Sequence, residues 1–337
     1  MLIVGTTASR RYRTAIMGLG VAIPEKVVTN HDLARMVDTS HEWIVTRTGI
    51  VERRLAADAE AASDYAVVAA RRALEKAGVE ARELDLIIVA TVTPDMPFPS
   101  TACLVQHALG AVGAAAFDLQ AGCTGFLYAL AVADQFIAGG RYSRVLVIGV
   151  ELLSRITDWT DRNTCVLFGD AAGAAVVGPA EEGIMAVHLG ADGSGSHLLY
   201  QPAGGSRLPA SHRTVERRQH YIHMNGNEVF KFAVKVMTQA SLAVIRKAGL
   251  SRQDVDLLIP HQANKRIIDA SAKRLGLRED QVYVNIDRYG NTSSASVPVA
   301  LYEAVEGGMV REGDIVLLVA FGAGLTWGSC VLRWGVQ

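Results

Sequence analysis

Short runs of consecutive apolar residues alternate along this chain with longer stretches of helical periodicity. Residues 86–90 (LIIVA), 145–149 (VLVIG), 173–177 (GAAVV), 257–260 (LLIP), 315–320 (IVLLVA) and 329–332 predict strands buried on both faces. Residues 62–77, 123–138, 228–248 and 265–275 carry apolar positions at helical spacing. Strands alternating with helices predict an α/β fold around a central buried sheet.

The pattern repeats. KAGVEARELDLII from Lys76 returns as KAGLSRQDVDLLI from Lys247, and at the same 171-residue offset Val145–Ile148 falls on 316–319. All α/β units share a general likeness, but two matches at one offset favour two similar halves, near 1–180 and 181–337. A site at their junction would draw side chains from both.

Composition narrows the function. Net charge is −1 over 337 residues, which gives no argument for a nucleic-acid or anionic-membrane partner. The four cysteines, Cys103, Cys123, Cys165 and Cys330, show no CxxC spacing and lie in apolar or glycine-rich stretches. They read as reduced thiols, against a disulfide framework or a zinc site. The first twenty residues lack the apolar core and cleavage site of a signal peptide, and no apolar run reaches the ~18 residues of a membrane span. A soluble, cytoplasmic protein is expected. The run GADGSGS (190–196) lacks the strand–GxGxxG–helix context of a nucleotide site and predicts turns.

Three residues carry candidate chemistry. Cys123 lies between Gly122 and Gly125, where a strand ending near Gln120 turns into an apolar helix. Helix N-terminal N–H groups favour a thiolate there, and small neighbours admit a substrate carbonyl. Taken alone, Cys123 fits a nucleophile and a buried structural cysteine equally; burial is the default for Cys103, Cys165 and Cys330. His261 follows the strand 257–260, at the register of Ala90 in the first half. Asn291 stands in the glycine-containing loop VNIDRYGNTSSAS before a small-residue helix, at the register of the Cys123 loop. The duplication thus directs all three to one centre. A thiol with two neutral donors suits thioester chemistry: the thiol takes an acyl group, and the donors hold an enolate oxygen.

Seven motifs in order, DTSHEWIVTRTGI (38–50), AGCTGF (121–126), DRNTCVLFGDAAGA (161–174), NGNEVFKFAV (225–234), PHQANKRI (260–267), YGNTSSAS (289–296) and FGAGLTWG (321–328), resemble the β-ketoacyl-acyl-carrier-protein synthase III family of thiolase-like condensing enzymes. The resemblance runs from about residue 15 to 334. It implies a five-layered αβαβα fold, a homodimer, and a ping-pong reaction. In that reaction Cys123 is acylated from a short acyl-CoA, most often acetyl-CoA. Malonyl-acyl-carrier protein then loses CO2, and its carbanion attacks the acyl-cysteine to give a 3-oxoacyl carrier protein. Coenzyme A is part of a substrate, so neither a bound cofactor nor a metal is implied.

The resemblance also implies site roles. Cys123, His261 and Asn291 form the catalytic set, with the backbone N–H groups of Cys123 and Ala323 as the oxyanion hole. Trp43 and Arg162 sandwich the CoA adenine, and Thr39, Arg47, Thr48, Asn227 and Asn264 make further CoA contacts. Met224, Phe230, Ala263 and Phe321 line the tunnel, and Phe98 reaches the partner subunit's acyl pocket. Lys265, Arg266, Lys273 and Arg274 form a basic face beside His261, suited to an acidic carrier protein rather than merely solvated. Ala323 replaces a glycine common in the family and keeps its role if its backbone angles admit a β-carbon. Asn163 likewise replaces a glycine. Alternative readings keep the chemistry with branched or longer primers in secondary metabolism, or make the chain a non-catalytic acyl-CoA binder.

Overall fold

The computed structural model describes residues 13–335. The residues preceding Arg13, to which no role was assigned and on which part of the signal-peptide expectation rests, lie outside that range.

The buried runs form two sheets. One has five strands in the spatial order Arg13–Ala22, Asp170–Ala180, Val145–Leu152, Leu86–Ala90, Ala115–Leu119. The other has four, in the order Leu257–Pro260, Ile315–Gly322, Thr326–Arg333, Ile184–Ala191. The first draws only on residues before 181 and the second only on residues after 183. The orders correspond: a parallel inner pair (Leu86–Ala90 with Val145–Leu152; Leu257–Pro260 with Ile315–Gly322) continues into two antiparallel strands in each sheet.

Strand alternation sends each sheet's two faces into different cores. Ile87, Val89, Leu146 and Ile148 pack outward against the helix Ala62–Ala77 and against Ala102 and Val105 of the helix Thr101–Leu109. Leu86, Ile88, Val145 and Val147 face inward with Ile259, Val316, Leu318 and Leu332 of the second sheet. Between them lie the helices Gly125–Ala138 and Ser296–Glu306. On the far side, Leu258, Leu317, Val319 and Val331 meet the helices Gly226–Lys247 and Lys265–Leu275. The result is five layers, αβαβα.

The apolar runs thus locate the inner strands, and the structure adds the strand Arg13–Ala22. Its sequence, RTAIMGLGVA, is interrupted by glycines because the helix Ala62–Ala77 lies directly on it: a β-carbon on Gly18 or Gly20 would come within 2.4 or 2.3 Å of the carbonyl oxygens of Ala73 and Ala69. Of the run 190–196, Gly190 and Ala191 end the strand Ile184–Ala191, and the rest forms turns with a short 3-10 segment, Gly193–Gly195. No helix among the described residues is long and apolar enough to cross a membrane.

Candidate active site

The two central helices begin side by side, each after a 3-10 turn: Gly122–Thr124 before Gly125–Ala138, and Ser293–Ala295 before Ser296–Glu306. Cys123 therefore sits in the turn preceding the helix, not on its first residue. Gly122 has φ +54, and a β-carbon there would lie 3.0 Å from the Ala323 nitrogen. The buried Thr124 donates to the Ala121 carbonyl at 2.5 Å, which fixes the turn.

His261 leaves the end of the Leu257–Pro260 strand with its N–H donating to Val319 O at 2.7 Å. Its ring is 1 % exposed. Nδ1 lies 2.6 Å from Ser296 Oγ, which also accepts the Gln262 N–H at 3.4 Å. With Ser296 Oγ donating to Nδ1, the ring hydrogen lies on Nε2. Nε2 is buried without a protein partner, and His261 lines the cavity. Burial alone lowers its pKa to about 3, so the ring is neutral at physiological pH. Asn291 donates its backbone N–H to Leu167 O at 2.8 Å, and its Oδ1 accepts the Ser293 N–H at 2.9 Å. That bond leaves the amide nitrogen for the same cavity.

The thiol environment is drier than the helix-terminus argument anticipates. The two cavities leave Cys123 half-buried by area, but protein closes around the sulfur on its other sides. Burial pushes its pKa up to about 12; a Ser293 hydrogen bond opposes this, the nearby Glu151 adds to it, and a backbone N–H lowers it. Glu151, at 0 % exposure, accepts the Ser293 and Ser294 hydroxyls at 3.0 and 2.9 Å on Oε1. It accepts Val92 N–H and the Thr93 hydroxyl at 3.1 and 2.9 Å on Oε2. Burial raises its pKa to about 7 against those bonds. Ser293, Ser294, Ser296 and Glu151 are the participants that sequence reading missed. The SSAS run was their only signal; Glu151 hides at the end of an apolar strand.

Ala323 stands beside the turn that carries Cys123. It is not among the residues with positive φ, so its β-carbon costs nothing in backbone strain and its N–H is retained.

Two cavities meet at Cys123. One, of about 610 Å³, is lined by Trp43, Arg47, Thr48, Asn163, Met224, Asn227, Phe230, Ala263, Asn264 and Phe321 with His261 and Asn291. The other, of about 780 Å³, runs past Cys123 to Leu153, Ile156, Phe168 and Ile222, with Met96 and Pro97 at its edge. Most predicted binding residues thus gather on one wall. Thr39 and Arg162 do not line it. The Arg162 guanidinium rests 4.6 Å from the Trp43 ring centroid, so the two stack on each other and leave no slot between them. Thr48 donates to Ile44 O, and Asn264 is committed at both ends, to Arg47 O and to the Arg266 N–H. Phe98 is 84 % exposed and lies outside both cavities.

On the basic face, Lys265 is paired with Asp269 at 2.7 Å, Arg274 turns to the Val234 carbonyl, and Arg266 lies over the Phe230 ring at 5.2 Å. One expectation is corrected. Cys103 is exposed rather than buried, because its helix buries Thr101, Ala102 and Val105 and turns position 103 outward.

Paired sheets around a buried helix pair, with cysteine, histidine and asparagine converging on one cavity, define the thiolase-like condensing class. The family model for 3-oxoacyl-[acyl-carrier-protein (ACP)] synthase III matches residues 117–193, and that for its C-terminal part matches 245–334. The beta-ketoacyl-[acyl-carrier-protein] synthase III of Symbiobacterium thermophilum is 64% identical over 95% of this chain and 98% of its own. That of Caldanaerobacter subterraneus is 61% identical over 95% and 97%. The solved structure of the Thermus thermophilus synthase III superposes with TM-score 0.90 at 52% identity, covering 96% of this chain and all of the other. A priming β-ketosynthase of the R1128 polyketide pathway also gives 0.90, at 38% identity over 98% and 99%. The chain belongs to the β-ketoacyl-[acyl-carrier-protein] synthase III family.

Proposed function

We propose that the chain catalyses the initiating decarboxylative Claisen condensation of fatty-acid synthesis through an acyl group on Cys123. A short acyl-CoA and malonyl-acyl-carrier protein give 3-oxoacyl-carrier protein, CoA and CO2. The observation that carries this assignment is the pairing of His261 Nε2, buried and unpartnered, with an Asn291 amide whose oxygen is already taken, on the cavity that ends at Cys123. Two neutral donors aimed at one space are what a forming enolate requires.

In this reading the acyl-CoA enters along the wall of Trp43, Arg47 and Asn227, and the acyl group turns into the second cavity. The Cys123 and Ala323 N–H groups receive the thioester oxygen. After CoA leaves, the malonyl group takes its place, and loss of CO2 puts negative charge on the oxygen facing His261 and Asn291. The carbanion attacks the acyl carbonyl, and the Cys123 sulfur leaves. We further infer two structurally related halves, 1–180 and 181–337, and a homodimer in which the exposed Phe98 reaches the partner's acyl cavity. Lys265, Arg266, Lys273 and Arg274, with Arg266 foremost, would dock the carrier protein in the cytoplasm.

A second reading, branched or longer primers, is supported by the cavity of about 780 Å³ beyond Cys123, far more than a two-carbon acyl group fills. A panel of acyl-CoA primers with malonyl-carrier protein, followed by CO2 release and product mass, tests both. Acetyl-CoA turnover that is lost in Cys123→Ala supports the first. Turnover confined to larger primers favours the second, and no turnover with any primer overturns both.

A further inference from the structure

A dry thiol with a pKa near 12 needs a proton acceptor before it can attack a thioester. In the proposed mechanism His261 does not serve: its Nδ1 is held by Ser296, and its Nε2 is the enolate donor. We propose that Ser293 and Glu151 relay the Cys123 proton, taking it during acylation and returning it when the product leaves. This rests on the acyl-cysteine reading above.

Three observations converge. First, Ser293 lines the larger cavity together with Cys123, its side chain lowers the thiol's pKa, and its hydroxyl donates to Glu151 Oε1 at 3.0 Å, so Ser293 stands between sulfur and carboxylate. Second, Ser293 has φ +49, a left-handed conformation that a serine seldom adopts. Asn291 Oδ1 secures it by accepting the Ser293 N–H, which ties the relay to the enolate-binding amide. Third, Glu151 is wholly buried, yet its partners are all neutral donors: Thr91, Val92 and Thr93 after the strand Leu86–Ala90, and Ser293 and Ser294 from the turn. Its charge acts on the Cys123 thiol, whose pKa it raises. A carboxylate tuned by burial to about 7 accepts a proton at physiological pH and gives it back.

The step balances. As the sulfur lone pair bonds the thioester carbon, the S–H proton passes to Ser293 Oγ and the Ser293 proton passes to Glu151 Oε1. The C–S bond to CoA breaks, and CoA leaves as a thiolate that takes its proton from water. Glu151 stays protonated while Cys123 is acylated. When the tetrahedral adduct with the malonyl-derived carbanion collapses, the Cys123 thiolate is released and the two transfers reverse. The Cys123–Glu151 pair therefore never holds two negative charges in one dry site. Glu151 touches no substrate and is a positioning residue acting through Ser293.

The test is single-turnover acylation by acetyl-CoA, read as intact-protein mass against pH, in the full-length enzyme. The wild type should acylate faster as pH rises through about 7, where Glu151 ionises. Ser293→Gly, which suits the left-handed backbone, should slow acylation about 100-fold at pH 7 and remove that step; Glu151→Gln should do the same. Ser294→Ala removes the other donor on the same oxygen but nothing from the thiol. It should keep the step, displaced upward. A Ser293→Gly enzyme that retains the step would overturn the relay. So would a Ser294→Ala enzyme that loses it, since Glu151 would then be only a brace. If Glu151→Gln does not fold, the two serine variants decide. A wild type that gains no acyl mass from any primer overturns the acyl-cysteine reading itself.

Discussion

A β-carbon on Gly322 would lie 2.6 Å from the backbone nitrogen of Cys123. The last residue of a second-sheet strand thus touches the N–H that the proposed mechanism assigns to the thioester oxygen, and only glycine leaves that space clear. Gly322→Ala should cut acylation by about 10²–10³-fold, the scale of losing an oxyanion donor. Intact-protein mass after rapid mixing with acetyl-CoA measures this. An unchanged rate would remove the Cys123 N–H from the oxyanion hole.

His261 and Asn291 serve the second half-reaction in this mechanism. His261→Ala and Asn291→Ala should still accept an acyl group on Cys123 while malonyl-carrier decarboxylation falls by about 10²-fold or more. Ser296→Ala should behave as a milder His261 variant, near tenfold, because it releases Nδ1 without removing the ring. Labelled CO2 release measured apart from acylation separates the steps. Equal loss of both in all three variants would contradict the division of labour.

Acid stability has a defined sign. Burial holds the folded His261 pKa at about 3, below its ordinary value of about 6.5. Between those values the unfolded chain binds the extra proton, so this group's stabilisation is complete above the upper value and lost as pH falls toward the lower. Glu151, raised to about 7, works in the opposite direction: its contribution falls as pH rises through about 4.5 to 7. The two partly cancel in the wild type. His261→Ala removes one of them, so it should lose less stability than the wild type between pH 6.5 and pH 4 in urea titrations. Identical losses would refute neutral burial of this ring.

Much of the fold was legible because its inner strands are buried on both faces. Leu86–Ala90 and Leu257–Pro260 appear where the apolar runs place them, and Lys265–Leu275 matches its strongly amphipathic pattern. The glycine-interrupted first strand was not legible, because Gly18 and Gly20 answer to a helix 50 residues away in sequence. The convergence of Cys123, His261 and Asn291 on one cavity was legible through the repeat and the motifs. The Ser293–Glu151 contact spans 142 residues, and nothing local in either stretch pairs the two side chains. Arg162 on Trp43 depends on side-chain conformation, which spacing does not encode.

That stacking has its own consequence. With Arg162 already 4.6 Å from Trp43, a base must displace the guanidinium before it can lie between them. Binding of CoA should change Trp43 fluorescence, and Trp43→Ala should raise KM for acyl-CoA about tenfold, within the range of a stacked cation, with no change in KM for the malonyl carrier. A matching rise in both would make Trp43 an anchor of the fold.

In the proposed function the carrier protein docks on the basic face, where Lys265 has an acidic partner and Arg266, among the described residues, has none. Arg266→Glu should weaken turnover with malonyl-carrier protein and steepen no dependence on acyl-CoA, whereas Lys265→Glu should matter less because Asp269 already neutralises that lysine. Steady-state titration of each substrate distinguishes them. Equal effects at 265 and 266 would argue for general charge rather than a docking contact.

The sheets draw on separate stretches of chain, one ending at Ala180 and the other beginning at Ile184, yet their inner faces share one core. A ribosome therefore delivers the reactive thiol long before the histidine, the asparagine and the serine that would engage it. The nascent first half exposes the apolar surface meant for the second, and its cysteine lacks the proposed proton relay and enolate donors. Catalytic competence, in the proposed mechanism, is in this sense a checkpoint on completed synthesis: a truncated or half-folded chain lacks the groups that the reaction with acyl-CoA requires.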